Sequence, residues 1–293
     1  MKKILLGSAL IILLLPACGG FKTDNGMQYE IHHDENGPVI KDGDMAAIST
    51  VEQTETGVKL YSSYDYDDRP MVAFKSKSLF KGDFNTALGL LSQGDSATFK
   101  IRVDSLIRVG QKPAGTKGQY ILYTIKVNRV VSRGNQTDSA YTAKYEALRN
   151  ELAETERPRE AAKIRHYIMA NGIKPTVTAS GLQYIITQQG HGARPATGDS
   201  LYVNYTGMYL SGQPYITTSP QIAKKAAMDH YDILHIKAGS GIAFPGLDEA
   251  LLLFNRGTKA RLIIPSKIGY GAYAHQGIEP YTPLLFDIDV LDK

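Results

Sequence analysis

The sequence predicts an α+β fold built from two sheet-rich modules that a helical connector joins. The first indication is the length of 293 residues, which suits about two domains. The second is that short runs of alternating apolar and polar residues, typical of a sheet with one solvated face, occur both before residue 132 and after residue 180. The third is a glycine-free segment with helical spacing between them.

The composition excludes several classes of protein. Hydrophobic residues make up 43% and charged residues 21%, so the chain is globular rather than disordered. The net charge of +4 falls to +2 when Lys2 and Lys3 are removed with residues 1–17, which is too balanced for an electrostatic nucleic-acid binder. Seven His and one Cys show no metal-ligand spacing. We therefore expect no metal, no other cofactor and no nucleic-acid partner.

The first residues predict export and lipid attachment. Lys2 and Lys3 precede an apolar run, Ile4 to Leu15, that is too short to span a bilayer. The sequence LPACGG that follows resembles the bacterial lipobox. Residues 1–17 are then a signal peptide, Cys18 is the lipidated residue, and residues 18–26 form a tether. The alternative is an ordinary signal peptide with an incidental cysteine. The prediction places the protein in the cell envelope, anchored to the membrane through its N-terminal lipid, at the outer membrane on its periplasmic side or at the cell surface.

The first sheet module is predicted over residues 27–132. Within it, SATFKIRV (residues 96–103) and QYILYTIKVNRVV (residues 119–131) alternate apolar and polar residues as β-strands do. Residues 133–175 predict the connector. Tyr141, Tyr145, Leu148 and Leu152 recur at helical spacing, and Pro158 begins a second helix that ends near Asn171. The apolar stripe of the connector could pack on a neighbouring domain or pair with a second chain, and the sequence leaves both open.

Residues 176–293 predict the second sheet module. Its helix, GLDEALLLFNRG (residues 246–257), has one apolar face, and a long flap over residues 219–231 separates two strands. Within the flap, residues 223–228 predict an extra helical turn. The predicted strands cover residues 181–187, 200–209, 232–237, 259–264 and 284–291.

Four linked motifs carry a family resemblance: SGLQYII, GDSLYVNYTGMYLSGQPY, FPGLDEALLLFNRGTKARLIIPSKIGYGAYAHQG and LLFDIDVL. In this order they resemble the FKBP-type peptidyl-prolyl cis/trans isomerases over residues 180–293. The resemblance implies a half-open antiparallel sheet curled around a short helix, with an aromatic pocket that receives a proline ring. By motif, the catalytic residues would be Tyr205, Tyr270 and Phe286. The residues implied to bind substrate are Tyr215, Leu234, Phe244, Leu247, His275 and Ile278.

Such a pocket needs no acid, base or metal, because the reaction is rotation about a C–N bond whose resonance creates the barrier. An apolar site disfavours the planar, more polar amide, and a Tyr270 hydroxyl could hold a substrate carbonyl. Two positions depart from the family pattern. Ile216 stands where an Asp commonly follows the aromatic residue, and Leu247 stands where many members have Trp. We therefore expect modest activity.

The first module looks like a degenerate repeat of the second. Residues 43–63 have the layout of residues 198–218, and Tyr123 falls near the position of Phe286. Thr50 replaces the pocket tyrosine, and no counterpart of YGAYAHQG exists. We therefore expect an FKBP-like fold without turnover, serving to hold substrate, to space the domains or to dimerise. An unrelated β-domain is the alternative.

Two functions follow. The first is a prolyl isomerase that assists the folding of exported proteins by desolvation and orientation, with proline-containing polypeptides in extended or unfolded form as partners. The second is a chaperone or peptide-binding lipoprotein of the same fold that has no turnover. A homodimer through the connector or the N-terminal domain remains open.

Overall fold

The computed structural model describes residues 20–24, 26–113, 116–275 and 277–292. The chain forms two compact units, the first from residues up to Tyr64 together with Asp68–Arg149, and the second from Asp65–Asp67 together with Asn150–Lys293. The predicted signal peptide and Cys18 lie outside the described residues. None of the helices in the described part of the chain combines the length and the hydropathy needed to cross a bilayer.

The first unit is a seven-stranded antiparallel sheet with two short helices. Its strands follow the order β1-β2-β6-β7-β3-β4, and β5 also pairs with β3. The elements are β1 (Lys22–Asp24), β2 (Met27–His33), β3 (Met45–Thr54), β4 (Lys59–Ser62), β5 (Met71–Phe74), α1 (Phe84–Leu88), β6 (Ser96–Arg102), α2 (Val103–Arg108) and β7 (Tyr120–Val131).

The core of the first unit lies between its sheet and α1. Ile48, Phe99 and Ile125 from three neighbouring strands are fully buried, and Leu88 of α1 packs in the same cluster. The helix begins where the Asp83 carboxylate accepts the Thr86 amide at 2.8 Å, which satisfies a backbone donor that the first helical turn leaves free.

The connector consists of α3 (Asp138–Glu156) and α4 (Glu160–Ala170), which confirms the helical connector predicted from the sequence. The first turns of α3 belong to the first unit, where Tyr141 and Tyr145 contact Phe74.

The second unit repeats the topology of the first, with the strand order β8-β9-β13-β14-β10-β11 and β12 paired to β10. The elements are β8 (Thr176–Val177), β9 (Gln183–Gln188), β10 (Ser200–Tyr209), β11 (Pro214–Thr217), α5 (Pro220–Ala226), β12 (Leu234–Lys237), α6 (Pro245–Leu253), β13 (Lys259–Ile264) and β14 (Leu284–Val290). The matching strand orders confirm the two-domain α+β fold and the degenerate repeat.

A shared backbone contact supports the same equivalence. The Thr50 amide donates to the Ser63 hydroxyl at 3.0 Å, and the Tyr205 amide donates to the Thr218 hydroxyl at 3.0 Å. Each contact ties the middle of the long central strand to the residue that follows its hairpin partner.

The two faces of the second sheet have different coverings, because successive side chains of a strand point to opposite faces. On the concave face, Leu262 and Phe286 pack in the cluster that includes Leu247 and Leu251 of α6. On the opposite face, Ile263 and Leu285 pack against Ile164 and Tyr167 of α4. The apolar stripe of α4 is thus buried within the second unit, the first of the two alternatives that the sequence left open.

Several elements differ from the sequence prediction. The helix expected over residues 246–257 spans Pro245–Leu253 and ends at Phe254, whose backbone is extended. The strand expected from residue 232 begins only at Leu234, and the flap contains α5. The sequence analysis did not predict β8, β11 or α2, because each is too short to show a period.

Candidate active site

A concave pocket of about 490 Å³ lies between α6 and the sheet of the second unit. The pocket is lined by seven of the nine site residues predicted from the sequence: Tyr205, Leu234, Phe244, Leu247, Tyr270, His275 and Phe286. The pocket therefore gathers residues that are up to 81 positions apart in the sequence, from Tyr205 to Phe286.

Phe286 is the aromatic centre of this pocket. It is 2% exposed, and its ring centroid lies 6.1 Å from that of Tyr205, with the two rings roughly parallel. The Phe244 ring meets Phe286 edge-on at 5.2 Å. These are favourable aromatic geometries, so the three rings support one another around an apolar space.

Strand pairing places a glycine next to the central ring of the pocket. Gly207 of β10 lies opposite Phe286 of β14. A Cβ atom at Gly207 would lie 2.9 Å from the Phe286 ring and 2.6 Å from Ile216. Only a residue without a side chain fits there, because Phe286 and Ile216 already fill that space.

The opposite wall is a loop that carries Tyr270 and His275. Their rings stack with centroids 4.4 Å apart, and the Tyr270 ring also meets Phe244 edge-on at 5.3 Å. His275 exchanges two backbone hydrogen bonds of 2.8 Å with Ile278, which closes the tip of the loop.

Tyr215 and Ile278 do not line the cavity. Tyr215 packs against Phe286 with its ring edge-on at 6.2 Å, while its neighbour Ile216 reaches the pocket. The pairing of β11 with β10 shifts register beside these two residues, so the simple alternation of strand side chains does not hold there. Ile278 is 1% exposed and belongs to the core of the unit. Sequence motifs alone could not separate such supporting residues from lining residues.

Six further lining residues were absent from the set of predicted site residues: Ile216, Ile236, Ile242, Ala243, Pro245 and Gly269. Ile242 stands out because it is 79% exposed at the pocket. Ile242 directly precedes the motif AFPG, and this was the one feature of the sequence that could have indicated it. The sequence does not show, however, whether the side chain of a single isoleucine in a loop lies at the pocket.

The pocket is uncharged. Among its described lining residues, none carries a carboxylate, an ammonium or a guanidinium group. Burial raises the pKa of Tyr205 and of Tyr270, so both phenols stay protonated at neutral pH and can donate a hydrogen bond. Ile216 lines the pocket at the position where the family carboxylate was expected, which keeps the site apolar.

The Tyr215 hydroxyl is a buried polar group in this apolar setting. No described atom lies at full hydrogen-bond geometry from it. Burial raises the pKa of Tyr215, and the nearby Tyr270 phenol raises it further. The two phenols are therefore close enough to influence each other, and both remain neutral.

The first unit has a different residue at the position equivalent to Gly207. Glu52 lies opposite Tyr123, as Gly207 lies opposite Phe286. Glu52 is hydrogen-bonded to Tyr123, yet burial still raises its pKa. Thr50 stands where the second unit has Tyr205, and its hydroxyl is buried without a partner among the described atoms. The aromatic proline site is thus not reproduced.

A larger cavity of about 640 Å³ lies on the opposite face of the second sheet. Its walls include two ion pairs, in which Arg261 contacts Asp287 through two bonds of 2.6 Å and Lys259 contacts Asp289 at 3.1 Å. A proline ring gains little from such a polar surface, so the smaller aromatic pocket is the better candidate despite its size.

The chain is similar to known proteins over the part that contains this pocket. A family model for FKBP-type peptidyl-prolyl cis-trans isomerases matches residues 192–291. The FKBP-type peptidyl-prolyl cis-trans isomerase FkpA of Aeromonas hydrophila is 30% identical over 153 residues, 50% of this chain and 53% of the relative. The chain therefore spans about half the length of that relative.

Two further similarities extend over other shares of the chain. The outer membrane protein MIP of Legionella longbeachae is 30% identical over 180 residues, 60% of this chain and 70% of the relative. Among solved structures, FkpA from Escherichia coli aligns with a TM-score of 0.40 at 23% identity, covering 54% of this chain and 73% of that one.

Proposed function

This chain belongs to the family of FKBP-type peptidyl-prolyl cis-trans isomerases, and we propose that it isomerises prolyl bonds of exported polypeptides in the aromatic pocket of its second unit. The observation that carries the proposal is the convergence of Tyr205, Tyr270 and Phe286 on one uncharged cavity. We propose these three as the catalytic residues. The residues proposed to bind the substrate from the walls or from behind them are Tyr215, Leu234, Phe244, Leu247, His275 and Ile278.

Desolvation is the first proposed contribution to the rate. Resonance in the planar amide gives a rotation barrier of about 18–20 kcal/mol, and twisting removes that resonance. The planar form is the more polar one. A site walled by Phe286, Phe244 and Leu247 stabilises it less than water does, so the twisted state becomes relatively easier to reach.

Orientation is the second proposed contribution. Tyr270 lies on the loop wall, between Phe244 and His275. Its raised pKa keeps the hydroxyl protonated, so it can donate to a substrate carbonyl and fix one side of the peptide while the prolyl side turns.

The cell envelope is the proposed place of action. The leader and Cys18 predict a lipid anchor at the outer membrane, on its periplasmic side or at the cell surface. A related protein carries the name outer membrane protein MIP. Uncatalysed prolyl exchange takes tens of seconds or more, slow enough to limit folding after export.

We propose that the first unit has no turnover. Glu52 lies opposite Tyr123 at the position where the second unit has Gly207, and Thr50 supplies no aromatic wall. We assign residues 27–132 to this domain, 133–175 to the connector and 176–293 to the isomerase domain. The roles proposed for the first domain are to hold substrate, to act as a spacer or to dimerise.

The decisive experiment measures cis-trans exchange of a short prolyl peptide by NMR, with a soluble protein that starts at Gly19. Phe286→Leu keeps an apolar core residue but removes the ring that contacts Tyr205 and Phe244. We expect its kcat/KM to fall at least about tenfold. Tyr123→Leu changes the equivalent position of the first unit and is the matched control, with unchanged exchange.

The alternative function is peptide binding without turnover. In that case the unaltered protein would bind the peptide, and Phe286→Leu would weaken binding, while exchange stayed at the rate in buffer for both. Equal loss of exchange in the Tyr123→Leu control would instead contradict the assignment of the active site to the second unit.

A further inference from the structure

The pocket loop, defined here as the described residues of 269–283, forms one wall of the site. It connects the turn at Ser266–Ile268 to β14 and carries Tyr270 and His275. Tyr273 is 81% exposed, and His275 is exposed as well. A hydroxyl that must hold a substrate carbonyl needs its backbone fixed to a fraction of an ångström, so something has to hold this loop.

The peptide groups of Gly271, the residue next to Tyr270, are fixed from two sides. The Gly271 amide donates to the carbonyl oxygen of Ser266 at 2.9 Å. The Gly271 carbonyl oxygen accepts the amide of Tyr281, also at 2.9 Å. The orientation of Tyr270 therefore depends on where Ser266 and Tyr281 lie.

Both of these residues are held by carboxylates of the connector. The Glu160 carboxylate at the start of α4 accepts the amide of Ser266 and its hydroxyl, the latter at 2.8 Å. The Glu154 carboxylate in the last turn of α3 accepts the Tyr281 hydroxyl at 2.7 Å. The Arg157 guanidinium lies 5.7 Å from the centre of the Tyr281 ring, which adds a cation–π contact.

The part of the connector that makes these contacts belongs to the second unit and is itself anchored. Ile164 and Tyr167 of α4 pack on Ile263 and Leu285 of the sheet. Glu160 is thereby tied to the same sheet that carries Phe286. The Tyr281 backbone adopts a φ of 58°, a left-handed conformation that is unfavourable for a non-glycine residue and persists where its surroundings hold it.

The geometry points to Tyr281 as a positioning residue, and to Glu154 and Glu160 as the groups through which the connector holds the pocket loop in its catalytic form. This inference rests on the proposed function, since it concerns how Tyr270 is oriented for isomerisation. Its consequence is that residues 150–170 act on the isomerase pocket as well as spacing the two domains.

The test uses the soluble protein that starts at Gly19. Tyr281→Phe keeps the ring and the backbone but removes the hydroxyl. We expect kcat to fall about fivefold with KM changed less, because the loss of one hydrogen bond loosens Tyr270 without removing a wall of the pocket. Glu154→Ala should have the same effect, and the double variant should be no slower than either single one. Glu154→Gln, whose amide oxygen still accepts the hydroxyl, should restore most of the rate.

Tyr273→Phe is the matched control, since it removes a phenol from the same loop at an exposed site, and its kcat should equal that of the unaltered protein. Unchanged kcat in Tyr281→Phe, additive losses in the double variant, or no rescue by Glu154→Gln would each overturn the inference. The inference would also be overturned if the loss of kcat across the variants were proportional to the fall in their unfolding midpoints.

A second measurement keeps this inference separate from the proposed function. Hydrogen exchange of the Tyr281 and Gly271 amides reports on the loop whether or not the protein has turnover. We expect faster exchange of both in Tyr281→Phe and Glu154→Ala. If the unaltered protein has no isomerase activity, the proposed function fails, while unchanged amide protection would refute the positioning role alone.

Discussion

Gly207→Ala adds one methyl group at the point where two pocket residues, Ile216 and Phe286, meet the supporting residue Tyr215. The new Cβ atom would lie 2.6 Å from Ile216 Cγ2 and 2.9 Å from the Cζ atoms of both Phe286 and Tyr215, whereas ordinary contact begins near 3.4 Å. Ile216 therefore has to retreat by roughly 0.8 Å and both rings by roughly 0.5 Å. Overpacking of this kind costs about 1–3 kcal/mol of unfolding free energy.

The same displacement moves Phe286 within the proposed active site. Because misplacement of about 1 Å can cost up to a hundredfold in rate, we expect kcat/KM to fall tenfold or more. Urea unfolding gives the stability, and NMR exchange of a prolyl peptide gives the activity.

Gly198→Ala is a control that distinguishes a general loss of stability from a change in the shape of the pocket. Gly198 has a φ of 94° and open space around its Cβ position, so alanine there costs on the order of 1–2 kcal/mol without touching the pocket. We expect a comparable loss of stability and unchanged activity in this control. Normal activity in Gly207→Ala, or equal activity losses in both variants, would refute the argument that the missing side chain at residue 207 allows Phe286 and Ile216 to take their positions in the pocket.

Three further predictions concern other parts of the chain. Burial raises the pKa of Glu52 above its ordinary value of 4.5, so its ionisation costs stability as pH rises from that value through the raised pKa. The free energy of unfolding of Glu52→Gln in urea should therefore equal that of the unaltered protein below pH 4.5 and exceed it above pH 4.5. A difference in unfolding free energy that does not change with pH would contradict this. Asp83→Ala removes the cap of α1 and should cost about 1–2 kcal/mol by urea unfolding, with isomerase activity retained; unchanged stability would count against the cap. Cys18→Ser should move the full-length protein from the membrane to the soluble fraction on cell fractionation, and continued sedimentation with membranes would exclude lipidation at that residue.

The strands were predictable where their side chains alternate over enough residues. The sequence bounds for β10 and β13 coincide with those of the structure, because each has one buried and one more exposed set of side chains. By contrast, β8 has two residues and β11 has four, so neither can show a period. Their existence depends on the strands beside them.

The family and the residues of the candidate pocket were predictable for a related reason. Each motif places its aromatic residue at a fixed point of a strand or turn, and the strand order then brings Tyr205 and Phe286 together. The distinction between lining and supporting residues was not predictable. Whether Tyr215 or Ile216 reaches the cavity depends on the register of β11 against β10, which shifts at Gly207 and Met208.

The sequence by itself determined the two sheet modules, the helical connector, the family and the set of aromatic residues proposed for catalysis, because these depend on local periodicity and on motifs within short segments. Only the tertiary structure decided that Glu52 lies opposite Tyr123 and is hydrogen-bonded to it, and that Glu154 and Glu160 contact residues of the pocket loop and of the turn before it. Those contacts join residues that are 71 to 127 positions apart, Glu52 with Tyr123 at the near end and Glu154 with Tyr281 at the far end. No local pattern encodes such contacts, since they arise only once sheets and helices have packed.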